Sequence, residues 1–161
     1  MAKSGLKGME AFKKKLKTMQ DRKALQPLAE YATAMAAKHV RDEIKAKVHI
    51  ASGPWTVYYG SKGKGKRTKY TFPAGTVAAA IIMKNIPDME RGGLLAKHIV
   101  TIRQSGDWAP VARAAIMMEH GVMTGGSNAF FRNTFEAEKG KAMQEMDKVL
   151  DAGIQKLWDK S

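Results

Sequence analysis

Apolar positions recur every three or four residues in three stretches of the chain. Leu6, Met9, Phe12, Leu16 and Met19 predict a short amphipathic helix with Lys13, Lys14 and Lys17 on its far face. Asp21 to Gln26 reads as a junction. Pro27, tolerated near a helix start, then opens a longer helix to about Lys47. Its stripe is Leu28, Ala32, Met35 (or Ala36), His39 (or Val40) and Ile44. The third stretch, Met143, Met146, Leu150, Ile154 and Leu157, belongs to a long helix that opens at Phe130 and runs to Trp158. Gly153 weakens that helix by ~1 kcal/mol relative to alanine.

The middle of the chain reads differently. Trp55–Tyr59 is rich in aromatic and β-branched residues, and Arg67–Phe72 alternates. Joined by the basic loop Gly60–Lys66, they predict a hairpin-like arm over residues 51–73. Gly75–Met83 reads as a short helix and Asn85–Gly93 as a loop. Ile99–Arg103 predicts a strand, followed by a turn at Gly106–Pro110 and a second strand over Val111–Glu119. Ile116, Met117 and Met118 suit a buried strand in that position. A short connection cannot cross over, so the two strands are expected to pair antiparallel. Gly121, Gly125 and Gly126 mark the next loop, and Ser127 or Asn128 can cap the helix that follows. Phe131 and Phe135 lie four apart, on one face of it. The expected fold class is α+β: a small antiparallel sheet with long N-terminal and C-terminal helices packed on it, plus a basic insert.

At 161 residues the chain is expected to form one domain, 1–161, large enough for a real core. A hydrophobic share of 44% argues against wholesale disorder. The absence of cysteine excludes disulfides and thiol chemistry. No run approaches the ~20 apolar residues that span a bilayer. The N-terminal lysines are followed by no apolar run, so no signal peptide is expected. The net charge of +13 is uneven. Residues 1–50 hold 12 basic and 5 acidic side chains, residues 51–85 hold 6 and none, and the remainder balances. Such asymmetry marks contact with something negative, or a solvated surface with no specific ligand. The eleven methionines suit adaptable packing surfaces, in a core or against a partner.

Catalytic signals are missing. His39, beside an apolar stripe, reads as a satisfied core histidine, and His49, His98 and His120 have no zinc-type spacing, so no metal is expected. Gly60, Gly65 and Lys66 mimic the start of a phosphate-binding loop. Arg67 stands where the magnesium-binding hydroxyl belongs, and a strand follows instead of a helix, which excludes an NTPase reading. No serine sits on a recognisable nucleophile turn. The chain is therefore expected not to be an enzyme and to carry no cofactor.

The stretch Ile116 to Glu136 resembles a known signature. Glu119, Gly121, Phe130, Phe131, Arg132, Phe135 and Glu136 match the pattern E-[FH]-G-T … P-F-[LF]-R-P-A-[LF]-E of the gene-product-ten-like tail-component proteins of long-tailed bacteriophages and prophages. Val122, Ala129 and Asn133 depart from it, standing where threonine and two prolines are usual. Gly75–Thr76 loosely resembles the family's turn before a short helix, with the two residues reversed. The order of elements follows the family over most of the chain, apart from the longer basic insert.

The resemblance implies a structural virion protein made in the host cytoplasm: a tail-completion or neck component at the head–tail junction. It implies a homo-oligomeric ring, hexameric or dodecameric, between the head connector or portal adaptor and the tail proteins, with DNA in the channel as a further contact and no membrane partner. The motif residues would then serve structure and assembly. The resemblance assigns no role to the longer insert; its own charge leads to the expectation that the arm, through Lys62, Lys64, Lys66, Arg67 and Lys69, docks on a neighbouring subunit or ring, or touches phosphates. A tail-terminator ring and a nucleic-acid-binding basic protein are the alternatives that remain open.

Overall fold

The computed structural model describes residues 12–14, 16–17, 20–48, 52–59, 67–120 and 129–160. The elements are α1 (Arg22–Lys47), β1 (Trp55–Tyr59), β2 (Thr68–Phe72), α2 (Thr76–Ala80), β3 (Ile81–Asn85), β4 (His98–Ile102), α3 (Ala109–Glu119) and α4 (Phe130–Lys160). Short 3-10 turns occupy Asp88–Glu90 and Gly106–Trp108. The fold is α+β, as expected, with two two-stranded sheets, β1–β2 and β3–β4, in place of one. The chain divides into two compact units: Met1–Lys38 with Asn85–Ile99 and Gly140–Ser161, and His39–Lys84 with Val100–Lys139.

In the first unit the described residues of 12–20 are helical, as their spacing predicts. The expected junction at Asp21–Gln26 is instead the start of α1. Asp21 Oδ1 accepts the Lys23 N–H at 2.9 Å, which caps the helix five residues before the sequence pattern suggested. Pro27 lies inside the helix, where it lacks the N–H that would reach back one turn. Gly153 has a packing role that its helix propensity conceals. A Cβ placed there would stand 2.1 Å from Leu28 Cδ1, so the missing side chain is what lets α1 and α4 approach at this point. The Phe12 ring meets Trp158 edge-on, with centroids 6.0 Å apart.

In the second unit the core gathers Val40, Ile44 and Val48 around the end of α1, Val57 of β1, Val77 and Ala80 of α2, and Phe130 of α4, all buried. The hairpin forms as its alternation predicts, with Trp55 opposite Phe72 and Tyr59 opposite Thr68. Its joining loop, residues 60–66, lies outside the described residues and takes Lys62, Lys64, Lys66 and the glycines of the false phosphate loop with it. Gly75, at φ +78°, makes the turn into α2.

Two expectations for this region are overturned. The helix read over Gly75–Met83 ends at Ala80, and the β-branched pair Ile81–Ile82 begins β3. The strand read over Val111–Glu119 is the helix α3. Val111, Ala112, Ala114, Ala115 and Met118 are buried while Ile116 is exposed, a helical period. Four alanines and Pro110 in the first turn favour the helix further. The partner of β4 is therefore β3. Their antiparallel ladder is flanked by the Arg103 N–H on the Ala80 carbonyl at 2.8 Å and the Ile86 N–H on the Lys97 carbonyl at 2.9 Å.

Candidate functional site

The first helical bond of α4 runs from the Asn133 N–H to the Ala129 carbonyl, which puts Ala129 at the capping position. Alanine has no side-chain oxygen to offer there. The N–H groups of the second and third helical residues are taken from elsewhere: Glu119 Oε2 accepts the Phe131 N–H at 2.9 Å and Oε1 accepts the Arg132 N–H at 3.1 Å. One carboxylate at the end of α3 thus satisfies two donors that the helix cannot use itself, and its charge sits at the positive end of the helix dipole. This contact joins the two halves of the Glu119…Phe-Phe-Arg pattern. Gly121, Ser127 and Asn128 lie outside the described residues.

The pattern's aromatics divide by role. Phe130 is buried and its ring lies 5.2 Å from that of Phe131, while Phe135 is half exposed. Beside the cap, Val100, Ile102, Ala115, Ile116, Glu119 and Phe131 line an open groove of about 280 Å³. Arg132 is exposed. Comparison of the chain with protein-family models, with curated proteins and with solved structures returns no match.

On the hairpin, Arg67 and Lys69 are exposed, and the arm's other three cations fall in the undescribed loop. Lys69 stands opposite Tyr58, and Thr56 opposite Thr71, whose hydroxyls share a hydrogen bond at 3.1 Å. The other face is apolar. Trp55 and Phe72 have centroids 5.0 Å apart, Tyr70 stacks on Phe72, and β1 packs on α3.

Two polar networks were invisible in the sequence. In the second unit, buried Glu138 accepts His39 Nε2 at 3.1 Å and lies 3.5 Å from Lys47 Nζ. This gives His39 the satisfied structural role expected of it, and only the helical faces of two distant segments, read together, could have suggested the partner. In the first unit, Arg91 is 5% exposed. Its guanidinium donates to the Ile86 carbonyl at 2.6 Å, the Leu95 carbonyl at 2.8 Å, Glu30 Oε1 at 2.8 Å and Asn85 Oδ1 at 3.2 Å. Hydrogen bonds from Gln26 and Arg91 hold the Glu30 carboxyl below its usual range. Thr33 Oγ1 lies within hydrogen-bond reach of the Ala29 carbonyl at 2.8 Å, the Glu30 carbonyl at 3.2 Å and His98 Nδ1 at 2.9 Å. Burial, and then the Arg91 charge, pushes the His98 pKa down, against the pull of Glu30. Among the described residues no three His, Asp or Glu side chains are placed to hold a metal ion.

Proposed function

We propose that this chain is a structural component of a long-tailed phage virion, a tail-completion or neck protein that forms a ring at the head–tail junction. The observation that carries the reading is the Glu119 carboxylate on the Phe131 and Arg132 N–H groups. It gives the signature's acidic and aromatic halves one shared task, fixing the start of α4 against the end of α3. A pattern that serves as a structural joint suits a protein whose work is assembly. In a ring, rotation-related subunits meet head to tail until the ring closes, with the head connector on one side and tail proteins on the other.

The test is the protein content of purified particles, followed by imaging of the neck. The expected result is a ring of this chain between connector and tube. A ring that caps the tube itself, present on tails that have not joined a head, would instead assign the tail-terminator role, and absence from the particle would overturn the virion reading.

A further inference from the structure

Strand residues alternate between faces, so Thr56 and Tyr58 of β1 share the outer face of the hairpin with Lys69 and Thr71 of β2. All four are exposed, as is Arg67, which immediately precedes β2. Each of these five side chains ends in a hydrogen-bond donor, and two are cations. The Thr56–Thr71 bond uses one of its two hydroxyl protons and leaves the other able to donate. No carboxylate occurs anywhere in residues 51–85. The aromatic inner face, seated on α3, makes the ribbon a firm mount for this outer surface.

We propose that this outer face binds the phosphate backbone of double-stranded DNA without reading its sequence. Arg, Lys, Thr and Tyr are the side chains that bond phosphate oxygens. The face carries none of the Asn, Gln, Asp or Glu side chains that read adenine or cytosine edges, which leaves guanine as the one base its two cations can read and the backbone as the contact that all five donors can make. Arg67 immediately precedes β2 and lies two residues from Lys69, about 6.8 Å in extended chain, so the pair can engage successive phosphates. An acidic protein surface fits less well, because protein interfaces add an apolar centre to a charged rim and Tyr58 is the only aromatic or apolar large side chain among the described residues of this face. Single strands fit less well too, since they bind across several stacked aromatics and this face offers one. The inference goes beyond the virion reading and stands or falls independently of it.

The test uses the purified full chain and a fluorescent random-sequence duplex, with affinity measured across a salt series. Each neutralised phosphate contributes about −0.9 to the slope of log affinity against log salt. The expected result is that Arg67→Ala with Lys69→Ala reduces the slope by about 1.8, with circular dichroism unchanged. Lys156→Ala with Lys160→Ala removes the same charge from the end of α4 and leaves the slope as it was. Two unrelated duplexes bind equally. The proposal is overturned if both double variants lower the slope alike, if the duplex does not bind, if a single strand binds tighter, or if a poly-glutamate peptide displaces the duplex at equal charge concentration.

Discussion

Replacing Glu119 by alanine strips both acceptors from the start of α4 at once. The Phe131 and Arg132 N–H groups then have no oxygen within the capping residue to turn to, because Ala129 occupies that position. Losing a cap costs about 1 kcal/mol, and losing the carboxylate's interaction with the helix dipole adds about 0.3–1 kcal/mol. Two charge-assisted bonds are involved, so the total for Glu119→Ala comes to about 1–3 kcal/mol. Glu119→Gln keeps one carbonyl oxygen but turns an amide NH₂ toward the second N–H, and falls about midway. In urea, at a slope of about 2 kcal/mol per molar, a 2 kcal/mol loss moves the midpoint down by about 1 M. Glu136→Ala, on the exposed face of the same helix, serves as the control and shifts stability by no more than ~0.5 kcal/mol. Amide hydrogen exchange gives the local readout: protection falls at Phe131 and Arg132 before it falls elsewhere in α4. The reasoning fails if Glu119→Ala and Glu136→Ala destabilise equally, or if protection at those two amides is unchanged.

Two further changes bear on the first unit. Gly153→Ala should not realise the ~1 kcal/mol by which alanine is the better helix former, because the added methyl forces the Leu28 side chain to shift, its Cδ1 being 2.1 Å and its Cγ 2.9 Å from the new Cβ position. Leu28→Ala in the same background relieves the collision, and a Gly153→Ala protein more stable than the parent by that full amount would refute the contact. Acidification acts through His98, whose folded pKa is depressed below the ordinary 6.5. The unfolded chain takes up the proton first, so this contribution is intact above that value and is lost as pH falls from there toward the lower folded pKa. Glu30, also depressed, adds its loss only below its ordinary 4.5. Urea titrations at about pH 7.5 and about pH 5.5 should show the fall for the parent and a flatter response for His98→Asn, and equal parent stability at the two values would remove His98 from the account.

The hairpin and the long helices were legible because their signals are local. Trp-Thr-Val-Tyr-Tyr and Arg-Thr-Lys-Tyr-Thr-Phe carry their own strand preference, and the spacing from Met143 to Leu157 carries its own period. The segment 109–119 was misread because Ile116-Met117-Met118 dominates a short window, while the deciding evidence is the spread of small alanines before it. Ala112, Ala114 and Ala115 pack as core despite their modest hydrophobicity. That error also misassigned the partner of β4. The motif positions could be named from the sequence, yet the reason for Glu119 could not, since it depends on which N–H groups the fold brings within reach. Gly153 shows the same limit: propensity records what a glycine costs its own helix and is silent about what it makes room for.

Arg91 settles how the segment between β3 and β4 can change over evolutionary time. The main-chain path of that segment is pinned from inside, through carbonyls at its two ends, and not by the side chains at its tip. Met89, 99% exposed, takes no part in that frame. Tip residues other than Gly92 and Gly93, which hold φ of +62° and +84°, can therefore be exchanged while the frame persists, so one mount can present different surfaces to different neighbours. The frame depends most on Arg91, where no other side chain supplies five donors in the same fork.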